Sequence, residues 1–212
     1  MNRRSFLGFA VGALTANSNL KTKHVIFIVS GRGVRKKDYY ENPSFARNVR
    51  RIASDGFVFE EDHCDTVSSH EAAFSELTRG LDYVRVESLP AAPDILRKHR
   101  PAILVCREPD EASRFEEYVG LVRRTDERIG RVFDWVNEDP YFRHSTAIVI
   151  RPDFGRDDEI NARGDLHHSH GYYYTHRVAS IFWGPDFKKG VDRKTVINRA
   201  DMAPTLNRLA IS

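Results

Sequence analysis

Residues 146–171 read TAIVIRPDFGRDDEINARGDLHHSHG and join a strand-like run to a polar loop. The first five residues are apolar, strand-forming types and predict a buried strand of a parallel sheet. The segment PDFG then places Asp153 at the carboxyl end of this strand, where open α/β sheets bind their ligands. The loop beyond it carries further carboxylates and imidazoles, namely Asp157, Asp158, Glu159, Asp165, His167, His168 and His170. Such groups converging on one sheet edge predict a divalent metal site, and the alternative is a solvated acidic loop with surface histidines.

Similar patterns recur along the rest of the chain. Apolar runs predict further strands at 24–29, 101–106 and 178–183. Apolar residues at helical spacing, together with capping residues, predict helices at 43–56, 70–78 and 115–136. We therefore expect an α/β fold with a three-layer, mostly parallel, doubly wound sheet. It should form a single domain at 23–212, with its site along the carboxyl edge of these strands.

The N-terminal segment, residues 1–16, reads MNRRSFLGFAVGALTA and resembles a Tat-type export signal with a twin arginine before a short apolar run. A disordered basic N-terminus is the alternative. Cleavage would remove two arginines and no acid, so the formal charge of the chain would fall from +3 to +1. A charge this small gives no indication of nucleic-acid binding, and no second apolar run is long enough to span a membrane. We expect an exported, periplasmic protein.

A candidate nucleophile lies in the segment that leads into the predicted helix at 70–78. Thr66, Ser69 and His70 are close together in sequence at this helix N-terminus. Free backbone N–H groups and the helix dipole can hold a phosphate or sulfate there, while a hydroxyl attacks it. The alternative is that Ser69 and Thr66 serve only as helix caps.

Three segments of the second half resemble one known family. Residues 116–155, EEYVGLVRRTDERIGRVFDWVNEDPYFRHSTAIVIRPDFG, look like the helix and strand before the metal-binding Asp-His-Gly of the alkaline phosphatase superfamily. Residues 170–190, HGYYYTHRVASIFWGPDFKKG, resemble the later His-Gly-Tyr loop of its nucleotide pyrophosphatase/phosphodiesterase branch. Residues 197–211, INRADMAPTLNRLAI, are similar to its closing helix. Members are usually longer, so the chain resembles a trimmed core of the phosphodiesterase and sulfatase branches.

The resemblance implies a divalent metal site built from residues that match the family positions. Asp110, Asp153 and His170 match expected ligands, and His168 or Asp157 could assist them. The metal implied is zinc, with calcium as the sulfatase alternative. Other expected ligands are replaced, because serine or phenylalanine stands at Ser30, Ser113 and Phe154. Since these are poor ligands or none, the resemblance implies a reduced site.

The resemblance also implies an activity. The leading hypothesis is a hydrolase of small phosphate or sulfate esters, sulfatase-like or phosphodiesterase-like, with Thr66 or Ser69 as the nucleophile. No Cys-x-Pro-x-Arg motif is present, so a formylglycine sulfatase is not expected. The competing hypothesis is a catalytically inactive member of the fold that acts as a binding or scaffold protein.

Overall fold

The computed structural model describes residues 20–30, 32–67, 69–108 and 112–210. An eight-stranded sheet runs through these residues, with helices on both of its faces. Its strands are β1 (His24–Val29), β2 (Phe57–His63), β3 (Val84–Val86), β4 (Ile103–Arg107), β5 (Thr146–Arg151), β6 (Arg177–Trp183), β7 (Gly190–Asp192) and β8 (Ile197–Asn198). The order across the sheet is β3-β4-β1-β5-β6-β2-β7, and β8 pairs with β2.

The α-helices of the described residues are α1 (Arg47–Asp55), α2 (His70–Leu77), α3 (Ala92–His99), α4 (Phe115–Glu138), α5 (Tyr173–His176) and α6 (Met202–Ala210). A π-helical turn covers Lys37–Glu41, and short 3-10 turns cover Leu89–Ala91, Phe142–His144 and Arg199–Asp201. Apolar periodicity explains α4, since every buried aliphatic side chain on it lies on the face that meets the sheet.

The central strand β1 is buried on both faces, which is why its sequence is apolar throughout. Ile26 and Ile28 pack into one core cluster with side chains of α1, α3 and α4. Val25, Phe27 and Val29 pack into a second cluster with side chains of α2 and α6. Two helical layers therefore enclose the sheet, and the predicted three-layer α/β fold is confirmed.

The predicted strands are found, with one difference in direction. β3, β4, β1 and β5 pair in parallel, whereas β6 runs antiparallel to both β5 and β2. The expectation that the site follows the carboxyl end of every predicted strand is therefore wrong for β6. The start of β6 lies beside the end of β5 instead, so the loop that precedes β6 reaches the site edge.

The first predicted helix begins later than expected. Its spacing suggested a start near residue 43, but α1 begins at Arg47, and Phe45 lies in the preceding turn as a partly buried residue packed on the core. Gly56 ends this helix, with its N–H bonded to the Ile52 carbonyl at 2.9 Å. Helix α2 starts at His70 with Ser69 as its cap, as predicted, because the Ser69 Oγ accepts from the Ala72 N–H at 3.3 Å.

A carboxylate from α4 supplies the cap that α1 lacks in its own sequence. Ala46, at the N-cap position, has no side-chain acceptor. The buried Asp126 of α4 accepts instead from the backbone N–H groups of Asn48 at 3.0 Å and Val49 at 2.8 Å, and from the Asn48 side chain. This contact joins two helices of one layer.

We expect Asp126→Ala to lower the free energy of unfolding by about 2 kcal/mol, because two N–H groups of α1 would lose a charged acceptor. Chemical denaturation measures this loss. The exposed neighbour Glu127→Ala is the matched control and should change stability by less than about 0.5 kcal/mol. Equal losses in the two variants would contradict the capping role.

Among the described residues, no helix combines the length and apolar character that a membrane span requires. The predicted signal segment, residues 1–16, lies outside the described residues.

Candidate functional site

Asp153 lies at the centre of the candidate site, directly after β5 and fully buried. Its Oδ1 accepts from the backbone N–H of Gly33 at 2.8 Å and of Phe154 at 2.9 Å. Its Oδ2 lies 2.6 Å from Nδ1 of His70. Gly33 has a φ of +70°, and a Cβ there would come within 3.3 Å of the Phe154 ring, so the loop after β1 approaches this carboxylate as only glycine allows without strain.

His70, the first residue of α2, is held by ring contacts as well as by Asp153. Its imidazole stacks on the Phe154 ring, with centroids 4.5 Å apart and planes 23° from parallel. The His168 ring lies 4.9 Å from His70 and 5.0 Å from Phe154, measured between centroids. The buried phenyl ring thus lies against two histidines, at the position where the family resemblance leads one to expect a histidine ligand.

Thr66 reaches the same edge through Arg199, which is buried at the turn before α6. Nη2 of Arg199 donates to the Thr66 Oγ1 at 2.9 Å and to its carbonyl at 3.0 Å. Nη1 lies 3.4 Å from the Asp153 carbonyl, and Nε donates to Glu76 of α2 at 2.6 Å. One guanidinium therefore fixes the candidate nucleophile loop against both the end of β5 and α2, while Thr66 stays exposed.

The acidic loop after β5 is organised mainly by Asp157. Its carboxylate accepts from the Ser169 N–H at 2.6 Å, from the Ser169 Oγ at 2.7 Å and from the Thr175 Oγ1 at 3.2 Å. His176 links the loop to β2, since its ring nitrogens lie 2.6 Å from the Cys64 carbonyl and 2.7 Å from the His170 carbonyl. The exposed His170 ring is 4.9 Å from the His176 ring. Asp157 therefore acts in the structure as a loop organiser.

A buried ion pair supports the backbone of this site. Arg151, the last residue of β5, makes two hydrogen bonds of 2.8 Å to Asp62 of β2, and Nη1 donates to the Asp153 carbonyl at 3.2 Å. Burial by itself disfavours the charged guanidinium, but the Asp62 carboxylate outweighs it and raises the pKa of Arg151. For the neighbouring Cys64 thiol, burial has the opposite effect and raises the pKa, which makes this cysteine a poor nucleophile.

The described residues do not fit a divalent ion at Asp153. Both carboxylate oxygens are already engaged by two backbone N–H groups and by His70. The described part of the chain contains no group of three or more His, Cys, Asp or Glu side chains that could hold a metal. Asp110 lies outside the described residues, so the predicted ligand set of Asp110, Asp153, His168 and His170 stays a prediction.

The three substituted positions have different surroundings. Ser30, at the end of β1, is buried, and no described group forms a hydrogen bond with its Oγ. Ser113 is exposed, and its carbonyl accepts from the Leu166 N–H at 2.7 Å. Phe154 is fully buried against the two histidine rings. None of the three provides a metal-binding group.

The sequence interpretation missed the arginines of this edge, Arg107, Arg151 and Arg199. A signal was available for two of them, because Arg107 and Arg151 each end a fully buried apolar strand. A buried charge is rare unless it is paired or bound to something, so each such arginine points to a specific partner.

No protein-family model matches the sequence, and no curated protein matches it either. Solved structures do match the fold. A protein of the alkaline phosphatase superfamily from Vibrio parahaemolyticus has a TM-score of 0.65 and 10% identity over 95% of this chain and 68% of its own. The lipoteichoic acid synthase LtaP from Listeria monocytogenes has a TM-score of 0.65 and 9% identity over 97% of this chain and 77% of its own.

A third match is BT4656, solved in complex with its substrate D-glucosamine-2-N,6-O-disulfate. Its TM-score is 0.66 and its identity 11%, over 90% of this chain and 77% of its own. At these identities the comparisons establish the fold alone. The chain has the fold seen in solved structures of the alkaline phosphatase superfamily and of sulfatases, which confirms the fold that the resemblance implies.

Proposed function

We propose that this chain is an exported, sulfatase-like hydrolase of small phosphate or sulfate esters with a reduced metal site. The observation that carries the proposal is the Asp153–His70 contact of 2.6 Å at the N-terminus of α2. A buried carboxylate that orients an imidazole beside a helix N-terminus is an arrangement suited to acid–base chemistry on an anionic ester. Export rests on residues 1–16, which lie outside the described residues.

The two candidate nucleophiles differ in how their hydroxyl groups are used. The Ser69 Oγ accepts from the Ala72 N–H and so serves as the helix cap. The Thr66 Oγ1 accepts from a buried arginine, and its own proton remains available for transfer to a base. We therefore assign Thr66 as the nucleophile and His70 as the base that Asp153 orients. The Thr66 oxygen would give its proton to His70 and bond to phosphorus or sulfur while the bond to the alcohol oxygen breaks, and His70 would pass the proton to the leaving alcohol. Water would then attack the phosphorus or sulfur, break its bond to the Thr66 oxygen and release the acid, with the proton returned to Thr66.

The metal part of the proposal rests on Asp110 and His170, because the Asp153 carboxylate is already satisfied by protein donors. Zinc and calcium are the ions that the resemblance implies. Elemental analysis of the purified protein tests this part separately, and less than one ion per chain would remove the metal from the proposal.

We expect the protein to hydrolyse at least one of an aryl sulfate, an aryl phosphate and an aryl phosphodiester. His70→Gln should lower kcat about 100- to 10,000-fold, the range for loss of a positioned acid–base group. His167→Gln is the matched control, since His167 is an exposed histidine of the same edge, and its kcat should stay within about twofold. Absence of turnover on all three substrates, or equal rates in the two variants, would contradict the proposal.

One observation favours a second candidate, a non-catalytic binding or scaffold protein. The Phe154 ring packs against both His70 and His168, and three protein donors occupy the Asp153 carboxylate. A folded, metal-free protein that turns over none of the three esters would support this candidate.

A further inference from the structure

Arg107 ends β4 beside Val29 of β1, at the same edge of the sheet as Asp153. Only 4% of its surface is exposed, although it carries a charge. Its guanidinium carbon lies 5.1 Å from the centre of the Phe74 ring of α2, and Nη1 donates to Oε1 of Glu71 at 2.6 Å. The side chain is thus held against the first turns of α2, the helix that His70 begins.

Two further nitrogen atoms of this guanidinium have no acceptor among the described residues. Nε and Nη2 of Arg107 are buried, and neither forms a hydrogen bond with any group in the described part of the chain. Leaving a buried N–H group unpaired is costly, more so when it is charged, so this arrangement favours a further acceptor such as an anionic ligand. Guanidinium N–H groups in a planar fork match the oxygens of a sulfate or a phosphate.

Glu71 is the one acceptor that Arg107 has among the described residues, and it is placed where it can move. Its side chain is 73% exposed, whereas that of Arg107 is 3% exposed. The Arg107 hydrogen bond and charge lower the pKa of Glu71, and the charges of Arg32 and Arg85 add to this effect. A negative group is therefore favoured here, at the N-terminus of α2, whether it comes from the protein or from a ligand.

We propose that Arg107 is the binding residue for a tetrahedral oxyanion, sulfate or phosphate, and that the Glu71 carboxylate occupies the position of this anion in the free protein. When Glu71 swings into solvent, the anion takes over the Nη1 hydrogen bond and supplies acceptors for Nε and Nη2. That this anion is the ester group of the substrate rests on the proposed function; the binding itself does not.

The test is calorimetric titration of the full chain with inorganic sulfate and, separately, inorganic phosphate. Glu71→Ala should bind the preferred anion about tenfold more tightly than the wild type, because no internal carboxylate competes. Arg107→Gln should bind it about tenfold more weakly, or not at all. Arg51→Gln is the matched control, since Arg51 also lies over an aromatic ring, that of Phe133, but is half exposed and paired with Asp134. Its affinity should stay within about twofold of the wild type.

Unchanged affinity in Arg107→Gln would overturn the proposal, and so would the absence of binding in both the wild type and Glu71→Ala. If Arg107→Gln does not fold, the comparison of Glu71→Ala with the wild type still decides, because loss of a carboxylate that competes for Arg107 predicts tighter binding and unchanged or weaker binding would contradict it. Binding without hydrolysis of any ester would contradict the proposed function alone. Hydrolysis with no anion bound through Arg107 would contradict this inference alone.

Discussion

Asp62→Ala is expected to lower the free energy of unfolding by about 3 to 5 kcal/mol, one of the two largest losses predicted for this chain. Asp62 and Arg151 are both fully buried and share two hydrogen bonds of 2.8 Å. Ser180 of β6 also donates to this carboxylate. Without Asp62, the guanidinium would remain in the interior with its charge uncompensated. Chemical denaturation followed by circular dichroism measures the loss.

An exposed ion pair provides the control for this experiment. Arg51 and Asp134 are 2.7 Å apart, and about half of each side chain is exposed. Asp134→Ala should therefore cost less than about 1 kcal/mol. Similar losses for Asp62→Ala and Asp134→Ala would show that burial does not decide the strength of the inner pair. The inner pair also bears on the site, because Arg151 donates to the Asp153 carbonyl.

The second large effect is expected at Asp153 itself. Asp153→Ala would leave the buried N–H groups of Gly33 and Phe154 without their acceptor, at about 1 to 3 kcal/mol each, and would release His70. We expect a total loss of about 2 to 5 kcal/mol in the free energy of unfolding. Proton NMR of the His70 ring should at the same time show loss of its downfield, hydrogen-bonded N–H signal.

Asp153→Asn is the matched variant for this prediction. The amide oxygen can still accept from the two backbone N–H groups, so the loss should be about 1 kcal/mol, the difference between a charged and a neutral acceptor. Equal losses in the alanine and asparagine variants would contradict the view that these two hydrogen bonds stabilise the loop. A gain in stability for either variant would mean that burying the Asp153 charge costs more free energy than its hydrogen bonds contribute.

Hydrophobic pattern was sufficient to predict the four adjacent strands β4, β1, β5 and β6 and the helices α1, α2 and α4. β1 and β5 are buried on both faces and match the predicted apolar runs, and α4 follows the predicted helical spacing. The boundary of α1 was less predictable, because Phe45 packs on the core from a turn and so imitates helical periodicity. The hydrophobic pattern also could not predict the direction of β6, since a buried apolar strand has the same pattern in a parallel and in an antiparallel pair.

The candidate site was predicted only in part. His70 and Asp153 were each named from the sequence. The two residues are 83 positions apart, however, and no local pattern indicates that the His70 imidazole contacts the Asp153 carboxylate. The contact of Arg199 with Thr66 spans 133 positions and was not foreseen.

By itself the sequence determined four adjacent strands (β4, β1, β5 and β6), the helices α1, α2 and α4, the layered architecture and several polar residues of the sheet edge, because burial and periodicity are local properties of the chain. Only the tertiary structure decided how those polar residues pair. Asp153 bonds to His70 and two backbone N–H groups, and Arg107 retains N–H groups without an acceptor in the described part of the chain. The physical reason is that a hydrogen bond needs its donor and acceptor about 3 Å apart, to within a few tenths of an ångström, and the order and direction of the strands establish such distances only when the sheet is assembled.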